Sequence, residues 1–255
     1  MKHAFFILTT LITIMTSSSK AHAQQPDFLK IKATEQQLDD VMEIIDTTVL
    51  KVKLREVESN FRQDSSFLNK LRLGIIYHET ALNLSFLEKT AFKGYAKKSY
   101  DLLMQLADSP ATPEEARPFV DSYRASALSL VGAETRKLGL VGDAFRLFEK
   151  AVEKHASASY LPEFLRGSVA ENLPWFFFAK RKLAKKDFQS IIDKQEKNPD
   201  FANWKVMSFT YWAWAKQHQG RKYRERALQY LDRAIALDPK YEAGRGRAEK
   251  LKAGL

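Results

Sequence analysis

The chain of 255 residues contains no cysteine. Disulfide staples, thiolate nucleophiles and cysteine-ligated metal centres are therefore excluded, and packing must hold the fold together. Glycine (10) and proline (8) are sparse, which rules out collagen-like and low-complexity architectures. Long apolar runs are missing too. The best, Ala4–Met15, spans twelve residues, short of the about 20 that a membrane-crossing helix needs. No stretch alternates apolar and polar residues convincingly enough for a strand. Acid is in deficit: 41 Lys and Arg face 31 Asp and Glu, for a formal charge of +10.

What is present begins with an address. Lys2 and His3 precede the apolar run, Thr16–Ser19 is polar, and Ala21-His22-Ala23 is a small-x-small site before Gln24. That is the layout of a secretory signal peptide, so residues 1–23 are expected to be cleaved. No cysteine follows the run, which excludes a lipoprotein anchor. An exported chain without disulfides fits the periplasm of a Gram-negative bacterium. Export also argues against nucleic acid as the counterpart of the positive charge. Acidic proteins or peptides, anionic lipid headgroups and anionic wall polymers remain.

After a lead from Gln24, Thr34 is placed to cap a helix running to about Asn60, and residues 24–66 form an N-terminal unit. Phe67–Thr90 carries apolar residues on two faces (Leu68, Leu71, Ile75; Leu73, Ile76, Leu84), so it must pack on both sides. Gly94-Tyr95 opens its partner, with Ser99, Leu103 and Leu106 at helical spacing, and Pro118 marks the next helix start. Ala125–His155 reads as two helices folded back on each other. Gly132 permits close approach, Leu138-Gly139 stops the first helix, and Ala144, Phe148, Ala151 and Val152 share a face of the second. Ser157–Pro162 reads as a loop, Leu173–Lys182 as a helix rich in aromatics, and Phe188, Ile191 and Ile192 as the apolar side of its partner. Phe201–Gln219, a turn at Gly220, and Ala227, Leu231 and Ala234 make the last pair, with Tyr241–Leu251 as a terminal cap.

The small residues at the crossings, the Leu73-Gly74…Tyr77 pattern and the Ala227…Ala234…Pro239 spacing resemble the tetratricopeptide repeat (TPR). Second helices begin near Tyr95, Leu140, Lys185 and Arg221, at intervals of about 45, 45 and 36 residues against a usual repeat of about 34. The reading is all-α: a right-handed α-solenoid of about four degenerate TPR-like helix pairs over 67–255, closed by a C-terminal capping helix.

Catalytic chemistry finds little footing. His78-Glu79 begins a zinc-binding HExxH motif, but Leu82 stands where the second histidine belongs. No G-x-S-x-G elbow occurs, Gly244-Arg245-Gly246 lacks the rest of a phosphate loop, and Glu58-Ser59 lacks the segments that follow it in helical transglycosylases. Neither a metal nor another cofactor is expected, and no enzymatic activity. The resemblance to TPR proteins implies a scaffold that holds a peptide or protein partner along its first helices, with Arg136, Lys137, Lys182, Trp212 and Lys216 as contact residues. The alternative is a small-molecule or lipid-binding accessory of an envelope transport system, its cavity lined by Phe67–Thr90 and by aromatics such as Trp175–Phe178. Lys180-Arg181-Lys182 and Lys185-Lys186 straddle a hairpin tip, where cations would favour a helix C-terminal dipole. From Lys216 to Leu255 eleven Lys and Arg oppose five acids. Arg245, Arg247, Lys250 and Lys252 are therefore expected to dock that end on an anionic surface.

Overall fold

The computed structural model describes residues 28–84, 87, 88 and 90–255. The expected signal peptide lies outside them. The described residues form eleven α-helices and no strand: α1 Phe28–Leu38, α2 Thr47–Gln63, α3 Phe67–Asn83, α4 Tyr95–Asp108, α5 Arg117–Thr135, α6 Leu138–His155, α7 Leu161–Asn172, α8 Phe178–Lys197, α9 Trp204–Gln217, α10 Arg224–Leu237 and α11 Arg245–Lys252. Adjacent helices pack as α3/α4, α5/α6, α7/α8 and α9/α10, and α11 closes on α10 and α9. One apolar core runs through the array from Ile31 to Ala248.

Local chemistry sets the boundaries. The Asp46 carboxylate accepts from the Thr48 and Val49 N–H groups (2.8 and 2.9 Å) and so starts α2. The Asn203 side chain does the same for Val206 at α9 (2.9 Å). Inside the pairs, small residues let helices meet. A Cβ on Gly74 would come 2.9 Å from the Leu103 side chain, and one on Gly132 3.1 Å from Val141. The Ser99 hydroxyl donates to the Gly74 carbonyl (2.7 Å), and Ser208 at the last crossing donates to that of Ala234 (2.8 Å).

Four boundaries differ from expectation. The helix expected from Thr34 to Asn60 is two helices, because Glu43 takes a positive φ of 58° and Asp46 caps a new start. The apolar helix from Phe67 ends at Asn83 rather than Thr90. Helix α5 ends with Arg136 in the left-handed conformation (φ 58°), and Leu138-Gly139 begins α6 instead of terminating its neighbour. In the third pair, the segment 157–162 read as a loop contains the start of α7. Pro162 sits in its first turn, where a missing N–H leaves no bond unmade. Pro174 then holds Leu173 extended and ends α7. Trp175–Phe177 form a short 3-10 turn leading into α8. Lys182, expected on a first helix, is thus on the second helix of its pair.

Candidate functional site

The row of first helices, where a partner was expected, is crossed by the chain's own N-terminal segment. Glu35 of α1 accepts from the Tyr160 hydroxyl (2.8 Å) and the Asn203 amide (3.1 Å), and pairs with Lys32 (2.6 Å). The Arg72 guanidinium donates to both Asp40 oxygens (2.7 Å each) and to the Gln37 carbonyl (2.6 Å). Lys205 lies 3.5 Å from Asp39, and Asn83 donates to the Ile44 carbonyl (3.2 Å). Residues of α3, α9 and the start of α7 therefore all hold the segment 35–44.

Beneath it lies a buried polar layer. His78 Nε2 is 2.7 Å from Ser126 Oγ, and its Nδ1 is 3.2 Å from Glu79 Oε1. The connectivity is that of a serine–histidine–carboxylate relay. All three residues are buried, Ser126 is mid-helix in α5, and the Tyr123 ring stands edge-on to His78 at 5.0 Å. Ser126 therefore has no approach path in this arrangement. Glu43 is partly exposed as a residue, yet its Oε1 is sealed from solvent and accepts no hydrogen bond among the described residues. Burial, reinforced by the neighbouring Glu79, pushes its carboxyl well above the usual range. The Tyr123 hydroxyl faces Glu79 without completing a hydrogen bond. Burial and the surrounding acids Glu79 and Glu43 push it far up as well. Tyr160 is raised by burial, then by Glu43 and Glu35.

An open surface lies elsewhere. Helices α4 and α6 both pack on α5 but barely on each other, leaving a groove of about 660 Å³ between them. Leu128, Val131, Leu140, Leu147 and Tyr100 supply an apolar floor, while Lys97, Lys137, Arg146 and Lys150 stand at the rim with one acid, Asp143. Lys97 is engaged by Asp101 (2.6 Å) and Arg146 by Asp143. Lys137 and Lys150 have no ion-pair partner among the described residues, so the rim keeps uncompensated positive charge.

The structure disperses the residues expected to bind a partner. Lys137 lines the groove and Arg136 turns the chain beside it. Lys182 is exposed on α8. Lys216 pairs with Glu171 (2.8 Å) and lies over the Trp212 ring (5.3 Å). Arg247 covers Trp212 and Phe209 at 5.1 and 5.4 Å, and burial lowers its pKa. Arg245 is held by Glu249 (2.8 Å) and lies over Tyr241, and Lys252 pairs with Asp232. Of the four cations expected to dock the C-terminal end, only Lys250 has neither an ion pair nor a ring contact among the described residues. Sequence reading missed Lys97, Tyr100, Arg146 and Lys150. Arg146 and Lys150 are one helical turn apart beside Leu147, a signal visible on α6 but indistinguishable from an ordinary solvated face. Comparison of the chain with protein-family models, with curated proteins and with solved structures found no match.

Proposed function

We propose that the protein is an exported, periplasmic scaffold of the TPR-like, right-handed solenoid type, which binds a peptide or protein partner and does no chemistry on it. The α4–α6 groove carries this reading: an apolar floor under an incompletely neutralised cationic rim suits an amphipathic segment with acidic residues. Export rests on the tripartite layout of residues 1–23. The second-helix side is favoured over the first-helix face, because the segment 35–44 already bonds to α3, α9 and the start of α7 there.

The test places benzoylphenylalanine at Tyr100, one aromatic for another, and irradiates living cells of the source organism. A discrete crosslinked protein should appear in the envelope fraction and disappear when Lys137→Glu and Lys150→Glu are added. Loss of two charge contacts of about 1 kcal/mol each predicts roughly tenfold or greater weakening. A crosslink that ignores the charge reversal, or none at all, defeats the reading.

A further inference from the structure

The turn joining α7 to α8 carries features that folding does not account for. Trp175 is 80% exposed, Phe178 67% and Phe176 48%. Only Phe177 of this group packs on the core. From Phe178 to Lys186, five of nine residues are Lys or Arg and none is acidic. The expectation that these cations favour a helix C-terminus fails, because Lys180, Arg181 and Lys182 lie in the opening turns of α8, at the positive end of its dipole. Both the bare rings and the misplaced cations disfavour the isolated fold. They also share geometry: Phe178, Arg181, Lys182 and Lys185 fall at i, i+3, i+4 and i+7, one stripe of the helix, and all four are exposed. Lys180 folds back over Phe145 (4.8 Å), whereas Arg181, Lys182, Lys185 and Lys186 have no ion pair among the described residues.

The neighbouring turns extend the pattern. In an array of antiparallel pairs, the turns from first to second helix lie along one edge. The contacts agree: the Gly94 N–H at the α3–α4 turn donates to Glu134 near the end of α5 (2.7 Å), and Glu171 at the end of α7 accepts from Gln217 at the end of α9 (2.6 Å). That edge also presents Leu138, exposed beside Arg136, and the α9–α10 turn adds Arg221, Lys222, Arg224 and Arg226 against Glu225. Its other acids, Glu88, Glu134 and Glu171, are engaged within the fold, by Lys51, the Gly94 N–H and Lys216.

We propose that this edge is a docking surface for an anionic lipid bilayer, with the Trp175–Phe178 tip entering the interface and the α8 stripe contacting headgroup phosphates. A protein partner would be expected to supply pockets for such rings or to meet them in a concavity. Here the rings stand exposed on a turn between helices, amid charge of one sign spread over successive turns, and a bilayer engages all of it at once. Tryptophan beside lysine and arginine is the combination that favours the water–lipid boundary. The proposal does not rest on the groove, and the residues tested below do not line it.

The purified chain is mixed with vesicles of phosphatidylglycerol and phosphatidylcholine in equal parts, or of phosphatidylcholine alone, with brominated acyl chains. Wild type should sediment with the anionic vesicles, release with rising salt, and show bromine quenching of tryptophan emission. Trp175→Phe should still sediment but lose most of the quenching, since the protein's other tryptophans are set back from the tip. The combined variant Trp175→Ser, Phe178→Ser, Arg181→Glu, Lys185→Glu should keep its melting temperature, because all four side chains are exposed, and bind at least about tenfold more weakly. Equal binding to neutral vesicles, or quenching untouched by Trp175→Phe, overturns the proposal; the second outcome would assign insertion to the surface near Trp204, Trp212 or Trp214. Failure of wild type to bind vesicles, with loss of an acidic protein partner in the combined variant, would reassign the edge to protein docking and equally overturn it.

Discussion

Glu43 concentrates several costs in one residue: a left-handed backbone, a sealed carboxylate oxygen without a hydrogen bond, and Glu79, Glu35 and Asp39 as negative neighbours against Lys205 alone among the nearby cations. Its raised pKa means that the native chain keeps a proton which the unfolded chain has already released above the ordinary glutamate value of about 4.3. Stability from this group is therefore fully present below that value and falls as pH rises towards the native pKa. Glu43→Gln should leave the melting temperature nearly unchanged at pH 4.5 and raise it at pH 8, by roughly 1–3 kcal/mol or several degrees. Thermal melts of both proteins at the two pH values measure this, and equal shifts would mean the carboxylate is solvated. Asp121 behaves oppositely. Burial alone would raise it, but the His155 hydrogen bond (3.0 Å) and Arg124 hold it below the usual range. Its contribution is present at neutral pH and is lost as pH falls through the depressed value.

Helix packing was legible where small residues recur within one hairpin. Gly132 is required by its neighbours: a side chain there meets Val141, Leu140 and the Lys137 carbonyl at 3.1 to 3.3 Å. Gly142, ten residues later on α6, would meet nothing within 4 Å. Gly132→Leu should lower stability by about 1–3 kcal/mol through overpacking. Gly142→Leu should be neutral or stabilise by up to about 1 kcal/mol through helix propensity. Chemical denaturation of both variants separates the two, and equal midpoints would remove Gly132 from the crossing. The third pair was misread because four consecutive aromatics dominate the local pattern. Pro162 and Pro174, which set the limits of α7, are consistent with either boundary until the first-turn position of Pro162 is known.

Across the whole molecule, α1 acts as a staple. An array whose repeats touch only their neighbours melts piecemeal when a middle unit fails. Here Glu35 ties α1 to residues as distant as Asn203, 168 positions on, while Arg72 ties α3 to the segment after α1. Combined Glu35→Ala and Asp40→Ala should accelerate amide exchange over 28–46 and broaden or split the thermal transition, with α10 and α11 losing least. A single sharp transition at the wild-type temperature would show that the staple adds nothing to cooperativity. The cationic character also changes place at this scale. Its C-terminal portion is largely engaged by Glu249, Asp232 and the Trp212 and Phe209 rings, and exposed cations collect on the edge formed by the helix-pair turns.

The amino-acid sequence by itself determined the helical composition, the packing of helices in adjacent pairs, the close approach at Gly132, and the excess of positive charge. Each of these is written in spacings of a few residues or in plain composition, and such signals survive without knowledge of what lies opposite. Tertiary structure alone decided that the segment 35–44 is held by α3, α9 and the start of α7, that α4 and α6 part to open a groove, and which cations remain exposed. Those outcomes depend on contacts between residues far apart in the chain, such as Arg72 with Asp40 and Tyr160 with Glu35. An arginine that will be paired and one that will stay bare are identical letters, and only the packed neighbour distinguishes them.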